Sequence, residues 1–176
     1  MPEPKADRGA HPDTARFRRT VARYATGVAV ATTCVDGVDH AMTANSFTSV
    51  SLDPLLALVC VERDSRFHDA VLASGRWSIG FLPEGSGELA RWFATRGRPL
   101  AGQFDRVPTR RGANGCLLRE DALAGLELTT TDVIPAGDHD IVIGAVTAIH
   151  EPPPDPPAGP VPGPTVYFDS TFRRLA

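Results

Sequence analysis

The sequence predicts a mostly β protein: an antiparallel barrel with a few helices at its periphery. Three observations predict this class. The apolar runs are short and rich in β-branched residues, Asp-Gly and Pro/Gly turns separate them, and helical periodicity is confined to three segments. Because strands and helices do not alternate regularly, a parallel sheet is disfavoured. The chain has 176 residues, 42% of them hydrophobic, which is enough for one domain with its own core.

The first predicted element is a helix that follows a loose polar tail over residues 1–12. Phe17, Val21 and Tyr24 recur at positions i, i+4 and i+7, which place them on one face of a helix. Asp13 or Thr14 can cap this helix and Gly27 can end it, so we assign residues 13–176 to a single folded domain. We interpret the arginines on the other faces of this helix as solvated.

The middle of the chain predicts five strands and two short helices. Val28–Cys34 is rich in β-branched residues, and Asp36-Gly37 is a strong signal for a hairpin turn. The remaining strands of this region are predicted at His40–Asn45, Thr48–Leu52, Leu55–Val61 and Arg76–Leu82. The two helices are predicted at Ser65–Ala73, with Phe67, Ala70 and Val71 inward, and at Gly87–Ala94, with Leu89, Trp92 and Phe93 inward.

The C-terminal part of the chain predicts an irregular connection and three strands. Thr95–Gly115 is rich in Arg, Gly and Pro and is expected to be the irregular part. Two long strands over Leu126–Ile134 and His139–Ile149 follow, and Val166–Phe168 is the last. Residues 152–164 contain eight of the sixteen prolines and therefore predict a semi-extended surface loop.

Composition and missing motifs exclude several functional classes. A formal net charge of −3 argues against a nucleic-acid-binding module. No segment approaches the roughly 20 apolar residues of a membrane span, and the N-terminus lacks the apolar core of a secretory signal, so we expect no membrane partner and a cytoplasmic location. We predict no metal site, because no His or Cys pair has ligand spacing, and the common hydrolase and nucleotide-binding motifs do not occur.

A polar run over Thr43–Ser51 is the first candidate for chemistry. It packs five hydroxyl residues and the amide of Asn45 into nine positions between two predicted strands. Neutral polar side chains with backbone N–H donors between them suit a ligand that has a polar heteroaromatic edge and a phosphate. The alternative is an edge strand that is merely rich in Ser and Thr.

A second candidate is the Gly137-Asp138-His139-Asp140 turn. A neighbouring carboxylate can hold the His139 ring in one tautomer or keep it protonated. The alternative is a turn with a purely structural role.

Taken in order along the chain, these motifs resemble one known family. Together with Tyr24–Val30, Leu58–Val61 and Leu89–Ala94, they are similar to the short-chain flavin reductases, which are NAD(P)H:flavin oxidoreductases, over about residues 16–175. The resemblance implies a Greek-key-like, FMN-binding split β-barrel and a homodimer with flavin near the subunit interface. It further implies that reduced flavin passes to a separate flavin-dependent oxygenase or halogenase. FMN and FAD, and NADH and NADPH, remain open.

The resemblance also assigns site residues, residue by residue. His139 matches the histidine associated with the nicotinamide, and Ser65 lies at a helix start, where free N–H groups favour a phosphate. Gly80 departs from the family pattern, which often has Asn at this position, so we assign no flavin contact to Gly80. The expected flavin contacts are Thr43, Ala44, Asn45, Ser46, Ser49, Ser51, Cys60, Val61, Ser65, Arg66, Phe93 and Ala94.

These observations lead to the hypothesis of a two-electron flavin reductase. NAD(P)H would donate a hydride to bound flavin, while the protein supplies orientation and excludes competing reactions. This hypothesis accounts for the lack of an acid–base pair in the motifs. Two alternatives stay open: a protein with permanently bound flavin acting on another small substrate, and a non-catalytic flavin-binding module.

Overall fold

The computed structural model describes residues 13–151 and 162–175. The predicted tail over residues 1–12 and most of the predicted proline-rich loop, residues 152–161, lie outside the described residues. Within the described ranges there are three helices, α1 (Thr14–Val21), α2 (Arg66–Ser74) and α3 (Gly87–Ala94). The strands of the same ranges are β1 (Thr26–Gly27), β2 (Ala29–Val35), β3 (Val38–Ala44), β4 (Thr48–Leu52), β5 (Leu55–Glu62), β6 (Arg76–Phe81), β7 (Thr109–Arg111), β8 (Leu117–Arg119), β9 (Gly125–Ala136), β10 (His139–His150), β11 (Val166–Phe168) and β12 (Thr171–Arg173).

Seven strands form one antiparallel sheet in the order β3-β2-β6-β9-β10-β5-β4. The edge strands β3 and β4 are consecutive in the chain and are joined only by Asn45–Phe47. This connection spans at most roughly 14 Å, so the sheet must curl until its two edges are neighbours. Within residues 13–151, no ladder joins β3 to β4. The barrel is therefore closed by the chain rather than by hydrogen bonds, and we call Asn45–Phe47 the seam.

The predicted β2–β3 hairpin is confirmed. Asp36 and Gly37 form its two-residue turn with φ angles of 51° and 78°. Positive φ at both central positions is the requirement of a type I′ turn, whose twist matches that of the flanking strands. The turn sets the register in which Val30 faces Thr43 and thereby fixes where the polar run begins.

Two groups of buried side chains form the core. The barrel interior is filled from β5, β6, β9 and β10, with Trp77, Ile79 and Leu128 fully buried. α2 covers one end of the barrel with Phe67, Ala70 and Val71, as predicted. A smaller cluster lies under α3, where Phe93 packs against strand residues. Burying a side chain of this size contributes about 1.5–3 kcal/mol, so these clusters hold the elements around the site in place.

The structure differs from the predicted elements in several places. β7, β8 and β12 were not predicted, because three-residue strands are too short to show a period. α1 ends at Val21 rather than near Gly27. Trp92 was expected to point inward but is 37% exposed, with its Nε1 donating to the carbonyl of Gln103 at 3.0 Å. That hydrogen bond keeps the indole at the surface, and Ala90 takes the inward position instead.

The first helix carries an apolar face that the rest of the described chain leaves uncovered. Asp13 caps α1, as predicted, by accepting from the N–H of Ala15 at 3.1 Å. However, Phe17 is 60% exposed, and Val21 and Tyr24 are also exposed.

In the described ranges, no helix is long and apolar enough to cross a membrane.

Candidate functional site

A cleft of about 600 Å³ opens between β3, the β5–α2 junction and the segment that follows α3. We call it the polar cleft. Pairing of β10 with β5 places His139 opposite Glu62, and packing of α3 on β3 brings Phe93 to the same wall. The cleft thus gathers most of the predicted site residues from distant parts of the sequence. Those that line it are Thr43, Ala44, Asn45, Ser46, Cys60, Ser65, Arg66, Phe93, Ala94 and His139.

Three predicted contacts lie outside the polar cleft. Side chains alternate along β5, so Cys60 faces outward while Val61 is fully buried in the core. Ser49 and Ser51 lie on β4, beyond the seam; the Ser49 side chain is exposed, and Ser51 Oγ accepts from the N–H of Asp53 at 3.2 Å. The structure therefore does not bring these three residues together with the other ten.

Two hydroxyls of the polar run are held by the protein itself. Thr43 Oγ1 donates to the carbonyl of Ala90 at 2.6 Å and so fastens β3 to α3. Ser46 Oγ accepts from the N–H of Cys60 at 3.0 Å and donates to the carbonyl of Cys60 at 3.4 Å. The Ser46 hydroxyl thus satisfies the backbone groups of Cys60 that a neighbouring strand would otherwise bind. The Asn45 side chain is exposed and makes no hydrogen bond within the described residues, so its amide can bind a ligand.

A second cavity of about 640 Å³ lies across the seam from the polar cleft. We call it the apolar cavity, because Phe47, Phe81, Leu82 and Leu123 form much of its wall. Asn45 lines both spaces and also a third of about 370 Å³ beside α3 and β11. A ligand at Asn45 therefore meets a polar wall on one side and an apolar wall on the other.

The start of α2 forms one end of the polar cleft. Ser65 caps the helix: its Oγ accepts from the N–H of His68 at 3.2 Å and donates to the carbonyl of Glu62 at 2.7 Å. Its hydroxyl is therefore committed to the cap. The other N–H groups of the first turn and the guanidinium of Arg66 remain as the groups suited to an anion.

Three arginines line the polar cleft, and they are held differently. Arg98 is half-buried and donates to the carbonyls of Phe93, at 2.9 Å, and Ala41; burial and the nearby Arg66 lower its pKa. Arg96 pairs with the carboxylates of Glu62 and Asp64 across the cleft. Within the described residues, Arg66 makes one hydrogen bond, to the carbonyl of Arg98 at 2.5 Å. Among the three, Arg66 has the most unused donors.

The two carboxylates that flank His139 have separate roles. Asp138 Oδ1 lies 2.7 Å from His139 Nδ1, and the hydrogen bond from His139 lowers the pKa of Asp138. Asp140 instead points inward, where Oδ2 lies 2.8 Å from His68 Nε2 and Oδ1 accepts from Arg63 Nε at 2.7 Å. These hydrogen bonds, that from His68 first, lower the pKa of Asp140. Asp138 therefore orients the His139 ring, and Asp140 ties the start of β10 to the β5–α2 junction.

Sequence reasoning missed His40, which lines the polar cleft near Arg66. A single histidine on a strand carries no motif, so the sequence offers no signal for it. Gly80, the position at which the sequence departs from the expected family pattern, does not line the polar cleft. A Cβ at that position would lie 3.3 Å from the Cβ of Ala122, so Ala122 occupies the space next to it.

A family model described as a flavin reductase like domain matches residues 21–176. The chain belongs to the flavin reductase-like family. It is 42% identical over 137 residues to a probable flavin reductase of Rhizobium meliloti (strain 1021), covering 77% of this chain but only 43% of the relative. It is 35% identical over 145 residues to the NADH-dependent FMN reductase AsuE2 of Streptomyces nodosus subsp. asukaensis, covering 82% and 78% of the two chains.

A solved structure confirms the predicted split-barrel fold. BorF, the flavin reductase component of a bacterial two-component tryptophan halogenase, superimposes with a TM-score of 0.83 at 39% identity. The match covers 93% of this chain and 98% of BorF. The antiparallel split barrel is thus the fold that the family resemblance predicted.

Proposed function

We propose that this protein is an NADH-dependent flavin reductase that releases reduced flavin to a separate flavin-dependent oxygenase or halogenase. The observation that carries the proposal is the position of Asn45, where the polar cleft meets the apolar cavity. A flavin has the matching chemistry: a flat aromatic ring with a polar edge, and a polar chain that ends in phosphate. The activity of AsuE2 and the role of BorF in its two-component system support the same function.

The residues suggest how a flavin is oriented. The ring fits at the seam, with its polar edge toward the Asn45 amide and its apolar face toward Phe47 and Phe81. The phosphate end then points along β3 to Arg66 at the start of α2. This placement uses a cationic side chain and helix N–H groups for the phosphate, which is where an anion is favoured.

The chemistry places few demands on the protein. When both are bound, the flavin and the reduced nicotinamide would themselves supply the hydride-transfer chemistry, and the protein would hold and orient them. When neutral, His139 donates through Nδ1 to Asp138, which leaves Nε2 as an acceptor for the carboxamide N–H of the nicotinamide. His139 thus orients the hydride donor without transferring a proton.

We also propose that the protein is a homodimer. Apolar side chains are exposed on α1, at the β4–β5 turn and on the outer half of the β9–β10 hairpin, where Phe17, Leu52 and Ile134 are examples. Contact with a second copy would bury these groups and supply further walls for the ligand at the seam. Such an interface should exceed about 1,000 Å² in total.

The function is tested by following NADH consumption in dialysed protein with increasing FMN or FAD. We expect no consumption without added flavin and saturation as flavin rises. A second chamber, behind a membrane that passes only small molecules, holds a flavin-dependent monooxygenase; product there demonstrates diffusible reduced flavin. Flavin that survives dialysis and turns over in place would favour the prosthetic-group alternative. Flavin binding without NADH consumption would favour a non-catalytic module.

A further inference from the structure

His40 is a half-buried residue with one ring nitrogen whose hydrogen-bonding capacity is unmet. It lies on β3, half-buried, at the end of the polar cleft. Its Nδ1 is buried and has no hydrogen-bond partner within the described residues. Such atoms are uncommon in folded proteins, and each one calls for an explanation. The other ring nitrogen, Nε2, is the polar atom of the ring that remains for a ligand in the cleft that His40 lines.

The surroundings of His40 favour a neutral ring. Burial, followed by the charge of Arg66, lowers its pKa; Arg98 acts in the same direction and Asp39 opposes it. A neutral ring with its proton on Nε2 leaves only a lone pair buried at Nδ1, and a buried lone pair is tolerated better than a buried N–H. His40 then presents an N–H donor to the cleft.

The charged neighbours of His40 are mostly engaged elsewhere. Asp39 accepts two hydrogen bonds from Arg111, at 2.9 and 2.8 Å. Arg98 is occupied by the carbonyls of Phe93 and Ala41. Arg66 keeps most of its donors. His40 on β3 therefore faces Arg66 and the free N–H groups at the start of α2 as a further group able to bind an anion at this end of the cleft.

We propose that His40 is a phosphate-binding residue whose Nε2–H donates to the 5′-phosphate of the flavin, opposite Arg66. This inference rests on the proposed function. In this proposal the two walls of the cleft contribute differently to phosphate binding. Arg66 on α2 supplies positive charge, and His40 on β3 supplies a hydrogen-bond donor of fixed direction. A hydrogen bond to a charged group from a fixed donor is among the stronger polar contacts in proteins.

Riboflavin and FMN separate this role from a structural one, because they differ only in the phosphate. Both are titrated by flavin fluorescence against wild type, His40→Ala, His40→Gln and Arg66→Ala. We expect His40→Ala to weaken FMN binding by about tenfold, as expected for one hydrogen bond to a charged group, and to leave riboflavin unchanged. His40→Gln keeps an N–H donor and should recover part of the FMN affinity. Val38→Ala, on the same strand but outside the cleft, is the matched control.

The outcomes are distinguishable. Equal loss of FMN and riboflavin affinity in His40→Ala, or loss of neither, overturns the proposal. A raised KM for NADH with unchanged FMN affinity also overturns it, because the phosphates recognised would then belong to the dinucleotide. If wild type binds neither flavin, the proposed function itself fails, whatever the His40 variants do.

Discussion

Asn45 and Ser46 are adjacent polar residues with different roles. The Ser46 hydroxyl hydrogen-bonds the backbone of Cys60 on β5, whereas the Asn45 amide makes no hydrogen bond to the described residues. Asn45→Ala should therefore weaken flavin binding by a free energy of about 0.5–1.5 kcal/mol with unchanged unfolding. Ser46→Ala should lower the free energy of unfolding by about 1–3 kcal/mol, because it leaves the N–H of Cys60 unpaired. Fluorescence titration and urea unfolding measure the two effects. The reverse pattern would contradict this assignment.

Asp140 is expected to act as a positioning residue for its neighbour His139. Its carboxylate holds Arg63 and His68, and thereby fixes the β5–α2 junction against the start of β10. Asp140→Asn replaces an acceptor with an amide that conflicts with these donors. We expect the KM for NADH to rise about tenfold, the equivalent of one strong hydrogen bond, while kcat changes less.

Glu127→Gln is the matched control for Asp140→Asn. Glu127 is also a buried carboxylate that ties a loop to the sheet, accepting from the N–H groups of Ala113 and Asn114 and lying 2.7 Å from His150 Nε2. It does not line the polar cleft. Glu127→Gln should lower the melting temperature without moving the KM for NADH. If both variants raise the KM in proportion to their loss of stability, Asp140 has only a structural role.

At the scale of elements, the capped helix α2 offers a test of local stability. Ser65→Ala removes the side-chain cap and its hydrogen bond to Glu62, so the free energy of unfolding should fall by about 1 kcal/mol. Ser65→Thr keeps a capping hydroxyl, so its free energy of unfolding should stay close to that of wild type. Urea unfolding followed by circular dichroism measures both variants; equal stability of all three proteins would show that the cap contributes little.

The sequence was sufficient for elements with a clear period or a turn signal. The type I′ turn at Asp36-Gly37 and the inward residues of α2 followed from local chemistry alone. β7 and β12 were missed although each pairs with a strand close by in the chain, because three residues are too few to show a period. Strand alternation would have excluded Val61 from the site beside Cys60, since neighbouring residues on a strand face opposite sides. His40 could not be found, because only the curled sheet brings it to Arg66.

At the scale of the whole molecule, the uncovered face of α1 tests the homodimer. Phe17 and Val21 lie four residues apart on that face, and both are exposed. If a second copy covers them, Phe17→Glu combined with Val21→Glu should convert a dimer into a folded monomer, as measured by light scattering. Arg16→Glu, on the same helix outside the Phe17–Val21 pair, should remain dimeric. A wild-type monomer with full reductase activity would exclude a site shared between subunits.

The seam also bears on how such a protein can evolve. The barrel's core is formed by the paired strands and by Phe47 of the seam, whereas the side chain of Asn45 is exposed and contributes little buried surface. Substitutions at Asn45 can therefore alter ligand preference at small cost to folding, so the usual trade-off between stability and activity is relaxed there. Substitutions at Ser46 should be tolerated less well, because its hydroxyl is hydrogen-bonded to Cys60 on β5. Laboratory selection for a new flavin-like ligand should accumulate changes at Asn45 and spare Ser46.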